Sequence, residues 1–200
     1  MKITSGFEGV IVGATFVDWT PPGGPDGTFG TSIGTTLTYD AGTPLGTGAA
    51  GRILDLVALP PLPGFMVFPV SAPGLVFDLE ALGPGSANTD CTQLGPCSVF
   101  VGSPFTLERN GANTTISLNA RGTVTDNTAA ISYWNGAFTT QIVGRTPEQI
   151  QADFLNVLGH TEESTYSAEF IVSPIPEPAT AALIGAGLLV IGWTRRRRRV

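Results

Sequence analysis

The sequence predicts a mainly β protein: an antiparallel β-sandwich or jelly-roll body with one short helix, followed by a C-terminal transmembrane helix. Three observations carry that reading. The first is composition: 26 Gly and 16 Pro stand among 200 residues, and only 13% are charged. This mixture starves long helices of Ala, Glu and Lys and suits short strands separated by turns. The second is a set of segments in which apolar and polar residues alternate, the period of a half-buried strand. The third is a single uncharged run close to the C-terminus that ends in a block of arginines.

The elements follow in order. Gly9–Trp19 is β-branched and aromatic and reads as a strand. Thr35–Tyr39 is short and bounded by Gly and Asp. Arg52–Ala58, Phe65–Val70 and Leu75–Leu79 are separated by Pro and Gly turns. Phe105–Glu108 runs into Asn110–Gly111, a hairpin-type pair. In Thr114–Val124, Ile116, Leu118, Ala120 and Val124 share one face, and Ser117, Asn119, Arg121 and Thr123 share the other. Trp134, Phe138 and Ile142 fall on one face of Tyr133–Val143, and Tyr166, Ala168, Phe170 and Val172 on one face of Thr165–Val172. Between these two strands lies the helix. Thr146 is its N-cap, Pro147 its first residue and Gln149 its N3 residue, a capping box. Ile150, Phe154, Val157 and Leu158 recur at helical spacing, and Gly159 can end it.

Charge excludes one class of function. Residues 1–176 hold five basic and fifteen acidic residues, a net of −10. Such a body repels phosphate backbones, so no nucleic-acid partner is expected. A single His removes His-rich zinc sites, and two cysteines cannot supply a four-thiolate one. Cys91 and Cys97 sit six apart: a small disulfide loop if the protein is exported, two free thiols if it is not.

Several motifs are weighed and set aside. Gly30–Gly34 fits G-x-S-x-G around Ser32, and His160 lies downstream, but strand rather than helix follows it. Gly46–Gly51 fits G-x-G-x-x-G, and again a strand, not a helix, comes next. Asp18, Asp26 and Asp40 border Gly/Pro-rich loops and are calcium candidates, although no EF-hand spacing is present. Glu162–Glu163 beside His160 reads as a solvated loop rather than an acid–base pair. Trp19, Trp134 and Tyr133 serve either core packing or stacking on sugars, with core packing the commoner use. No catalytic, cofactor-binding or metal-binding residue is assigned.

The C-terminal segment has three parts. Pro174, Pro176 and Pro178 alternate, which favours an extended backbone over residues 174–178. An uncharged run from Ala179 to Trp193 follows, built on Ala179, Leu183, Ile184, Leu188, Leu189, Val190 and Ile191, with Trp193 placed as an interfacial aromatic. Fifteen helical residues span about 22 Å against a bilayer core of about 30 Å, so the predicted span over 179–194 suits a transient anchor. Arg195, Arg196, Arg197, Arg198 and Arg199 close the chain and are expected to stay cytoplasmic, with the acidic body, residues 1–173, across the membrane.

The motif Pro176–Glu177–Pro178, the apolar run and the arginine-rich end closely resemble the PEP-CTERM sorting signal of Gram-negative bacteria. The resemblance covers about 26 residues. It implies recognition by an exosortase, a membrane-embedded cysteine protease-like transpeptidase that cuts near the motif. It further implies an inner-membrane precursor and delivery of the body to the cell surface or an exopolysaccharide-containing matrix. Proteins of this class begin with a secretory signal peptide. None is visible in MKITSGFEGVIVGATFVDW, where Glu8 and several Gly and Thr interrupt any apolar stretch. The expected function is a non-catalytic surface or matrix protein; the alternative is a carbohydrate-binding module delivered by the same tail.

Overall fold

A computed structural model describes residues 2–4, 9–19, 26–31, 45, 48–57, 59–127, 131–174 and 186. Its strands are β1 (Lys2–Thr4), β2 (Val10–Gly13), β3 (Val17–Asp18), β4 (Asp26–Thr31), β5 (Ala50–Leu54), β6 (Leu62–Phe68), β7 (Ala72–Leu82), β8 (Phe105–Asn110), β9 (Asn113–Thr125), β10 (Ile131–Ile142), β11 (Thr161–Ser164) and β12 (Tyr166–Pro174). The helix α1 spans Pro147–Asn156.

The mainly β, antiparallel body with one helix is as the sequence predicts. The two-sheet sandwich is not. Pairing runs β10–β12–β1–β4–β5–β6–β7–β9 and then returns from β9 to β10, so eight strands close into one barrel. A closed circuit of this size leaves an interior that side chains fill. β8 pairs with β9 over Asn113–Leu118, beside the lower half of that long strand, where β7 has already left it. A small antiparallel sheet, β11–β2–β3, packs over one end of the barrel. Its Val10, Val12 and Val17, with Trp19 just beyond, meet Phe105, Ile116, Leu118, Phe138 and Tyr166 around a void of about 20 Å³.

Gly9–Trp19 is thus a hairpin rather than one strand. The chain turns after Gly13, whose N–H donates to Phe16 O at 3.0 Å, and Ile11 and Val12 pair back onto Asp18 and Val17. The region Thr35–Tyr39 lies outside the described residues. So do the predicted transmembrane span and the arginine block, Ala186 excepted. Among the described residues no helix is long and apolar enough to cross a membrane.

The barrel interior is aromatic. Trp134 is fully buried, with Phe65 stacked on it at 6.1 Å and Phe170 edge-on at 5.5 Å. Phe138 sits 5.1 Å from Phe170 and 5.2 Å from Trp19, which joins the small sheet to the barrel core. The Trp134 indole N–H donates to Asp78 O at 3.0 Å and Thr123 O at 3.1 Å. That arrangement requires Gly122, because a Cβ there would overlap the Asp78 carbonyl oxygen and press on the indole nitrogen.

Between β7 and β8 lies a long irregular segment, residues 83–104. Cys91 and Cys97 are disulfide-bonded within it, their Cα atoms 5.2 Å apart. The bridge closes a small ring, and Cys97 also pairs with Leu107 of β8. Reduction is expected to lower stability by about 2 kcal/mol through restored chain entropy in the unfolded state. Urea unfolding with and without a phosphine reductant measures it.

Candidate functional site

The segment before the sorting-type tail is β12, which is paired into the barrel. β12 pairs with β10 along its whole length, from Thr140↔Tyr166 to Ser132↔Pro174, and with β1 through Ala168 and its neighbours. Tyr166, Ala168 and Phe170 point into the core. β12 ends at Pro174, the first proline of an alternating set. Prolines at 174, 176 and 178 remove every second N–H, which strips one edge of an extended chain of its donors. Pro176, Glu177 and Pro178, the apolar residues Ala179 to Trp193 apart from Ala186, and Arg195 to Arg199 lie outside the described residues.

The other sequence candidates are dispersed. Ser32 and Asp40 lie outside the described residues, and Asp18 and Asp26 sit on β3 and β4. Asp18 Oδ1 is buried without a hydrogen-bond partner among the described residues, and desolvation raises its carboxyl above the usual range. Gly48 to Gly51 lead into β5, with no helix after them. Trp19 and Trp134 are core residues, whereas Tyr133 is 51% exposed.

Glu162 corrects the sequence reading. It is not in a solvated loop: it is buried on β11. Its Oε1 lies 3.0 Å from His160 Nε2 and 3.3 Å from Arg145 Nη2. Arg145 also pairs with Asp153 of α1. Asp153, His160 and Glu162 could together offer three metal-ligand atoms. The Arg145 guanidinium bridges the two carboxylates, so the cluster is an ion-pair network fastening α1 to β11. The helix start is fastened separately. Gln149 Oε1 accepts from Thr146 N at 2.9 Å, and Arg109 of β8 holds Glu148 through both carboxylate oxygens, which lowers that carboxyl.

Sequence reasoning missed Gln151. Its Nε2 donates to Thr89 O at 2.7 Å and to Ser98 O and Val99 O at 3.1 Å, and its Oε1 accepts from Cys91 N at 3.3 Å. One amide therefore docks the disulfide segment on α1. Asp90 organises the same segment: hydrogen bonds from Thr92 and Gln93 hold its carboxyl below the usual range.

Residues 174–199 fit the model of the PEP-CTERM protein-sorting motif. No curated protein and no solved structure matches the chain. The matched segment begins at Pro174, where β12 ends. The chain thus carries a match to the PEP-CTERM protein-sorting motif at residues 174–199, directly behind a closed antiparallel barrel.

Proposed function

We propose that this protein is a non-catalytic surface or matrix component, whose barrel is carried to the cell exterior and released from its tail by an exosortase. The observation that carries the reading is the match at residues 174–199, the segment in which sequence alone places motif, apolar run and arginines in order. The precursor sits in the inner membrane with its arginines on the cytoplasmic side, since moving them across is costly. The fifteen-residue run anchors it only for as long as processing takes. Cleavage at or near Pro176–Pro178 leaves β12 whole, so the released body keeps every strand of its barrel.

The test places one epitope tag at each end of the chain, in a host with and without its exosortase. In the competent host the two tags are expected on separate polypeptides, with the N-terminal one at the surface. Glu177→Ala is expected to slow the separation, and replacing Arg195 to Arg199 with serine to impair retention. Both tags on one full-length, membrane-embedded chain in the competent host would overturn the reading in favour of a simple tail anchor.

A further inference from the structure

The outer face of β9, β10 and β12 forms a trough of mixed polar and apolar lining whose side chains are aligned by strand register. Asn135 lies opposite Arg121 on one side and Ile171 on the other; Ala137 lies opposite Asn119 and Glu169. Thr139 continues the floor between Ser117 and Ser167, and Gln141 lies opposite Thr115. Ala137, the smallest of these floor side chains, forms the low point. The rim on the β9 side is raised by the segment leaving β7. Gly83 N donates to Asn119 O at 2.7 Å, and Pro84 follows. A Cβ at Gly83 would come within 2.8 Å of Asn119 Cβ, so glycine permits this close wall.

Two depressions of about 530 and 490 Å³ occupy successive registers of this face. Together they run from Arg121 to Thr115, about 20 Å at the rise of an extended strand. Two strand spacings make the floor about 10 Å wide. At the upper end of the same face stands the half-exposed Tyr133, two residues from Asn135.

We propose that this trough binds a linear, neutral polysaccharide. Asn119, Arg121, Asn135 and Glu169 make no side-chain hydrogen bond or ion pair among the described residues, so their donors and acceptors remain available to a ligand. Amides, hydroxyls, one guanidinium and one carboxylate match the mixed donor–acceptor character of sugar hydroxyls. Tyr133 offers an apolar ring face at the end of the row. Arg121 and Glu169 stand on opposite sides of the floor, and the acidic body disfavours a polyanion. A peptide has no strand edge to extend along β9 or β10, which are paired on both sides, and β12 is covered by β1 at Ser167–Glu169. The inference rests on the surface-delivery reading only for where the polysaccharide would be met.

The test uses the full chain in a zwitterionic detergent, so that no sugar headgroup competes, on an array of neutral and uronic-acid oligosaccharides. Neutral linear oligosaccharides are expected to bind best. Titration calorimetry of the strongest should show at least a tenfold loss of affinity for N119A/N135A, with no change for L158S on the exposed turn after α1. Near-UV circular dichroism of the buried tryptophans confirms that each variant is folded. Absence of glycan binding, equal affinity of the folded double variant, or uronic-acid ligands binding as tightly as neutral ones would overturn the assignment. Tag separation in the exosortase-competent host is read independently, so loss of the trough leaves the sorting function standing.

Discussion

Replacing Trp134 with alanine is expected to lower the stability of the barrel by about 4 kcal/mol, the upper part of the range for a buried aromatic. The side chain is fully buried between Phe65, Phe77 and Phe170, and its removal opens a void that the closed sheet cannot collapse to fill. The loss also leaves Asp78 O and Thr123 O without the indole donor. Against a total of about 5–15 kcal/mol for a domain, such a loss shifts a large share of the population toward unfolding. Trp134→Phe separates the two contributions. It keeps most of the packing and gives up the hydrogen bonds, so its cost should be about 2 kcal/mol. Urea unfolding of the full chain in detergent, followed by far-UV circular dichroism, measures both. A shift below about 1 kcal/mol for the alanine variant would show that Trp134 does not hold the centre of the barrel.

The strands best read from sequence are those that make their own pattern. β9, β10 and β12 are long and alternate cleanly, so Ile116, Leu118, Trp134, Phe138 and Phe170 are recognisable as core from the alternation alone. The helix declares itself through Pro147 and Gln149. Barrel closure leaves no such mark, because it depends on pairing between segments far apart in sequence. β1 is three residues long, and β4, DGTFGT, is glycine-rich with weak strand propensity, yet both are needed to join β12 to β5. Gly9–Trp19 looks like one strand because its residues are uniformly β-formers; Gly13 is the one local sign of the turn.

The same division applies to function. The sorting signal is legible because its three parts are contiguous. The trough is half legible: Ser117, Asn119 and Arg121 are visible as the outward face of one strand. Only register shows that Asn135 and Glu169 join them. Glu162 reads as solvated in sequence because its partner Arg145 lies seventeen residues earlier, beyond any local pattern.

Gln151 is the residue whose importance the sequence hides most completely, and Gln151→Ala is expected to cost about 3 kcal/mol. On a helical wheel it is an ordinary polar position. In the structure it gives one amide to four backbone groups of the disulfide segment, beside Cys91, Ser98 and Val99, which are all buried. Alanine removes the amide and leaves a gap too confined for water to restore every partner. Gln151→Glu sharpens the test. A carboxylate can still accept from Cys91 N but has no hydrogen for the carbonyls of Thr89, Ser98 and Val99, and its charge repels them. At neutral pH the glutamate variant should therefore be at least as destabilised as the alanine one. It should recover part of the loss at low pH, where the protonated acid regains one donor. Glu148→Ala, one turn earlier in an exposed pair with Arg109, is the control and should change stability by less than about 1 kcal/mol. Hydrogen exchange locates the effect: amides of Cys91 and Ser98 should lose protection in the Gln151 variants before those of β9 do. If both Gln151 variants unfold as the wild type does, with loop exchange unchanged, the disulfide segment is held by Cys97, Ser98 and β8 alone, and α1 is only an ornament on it.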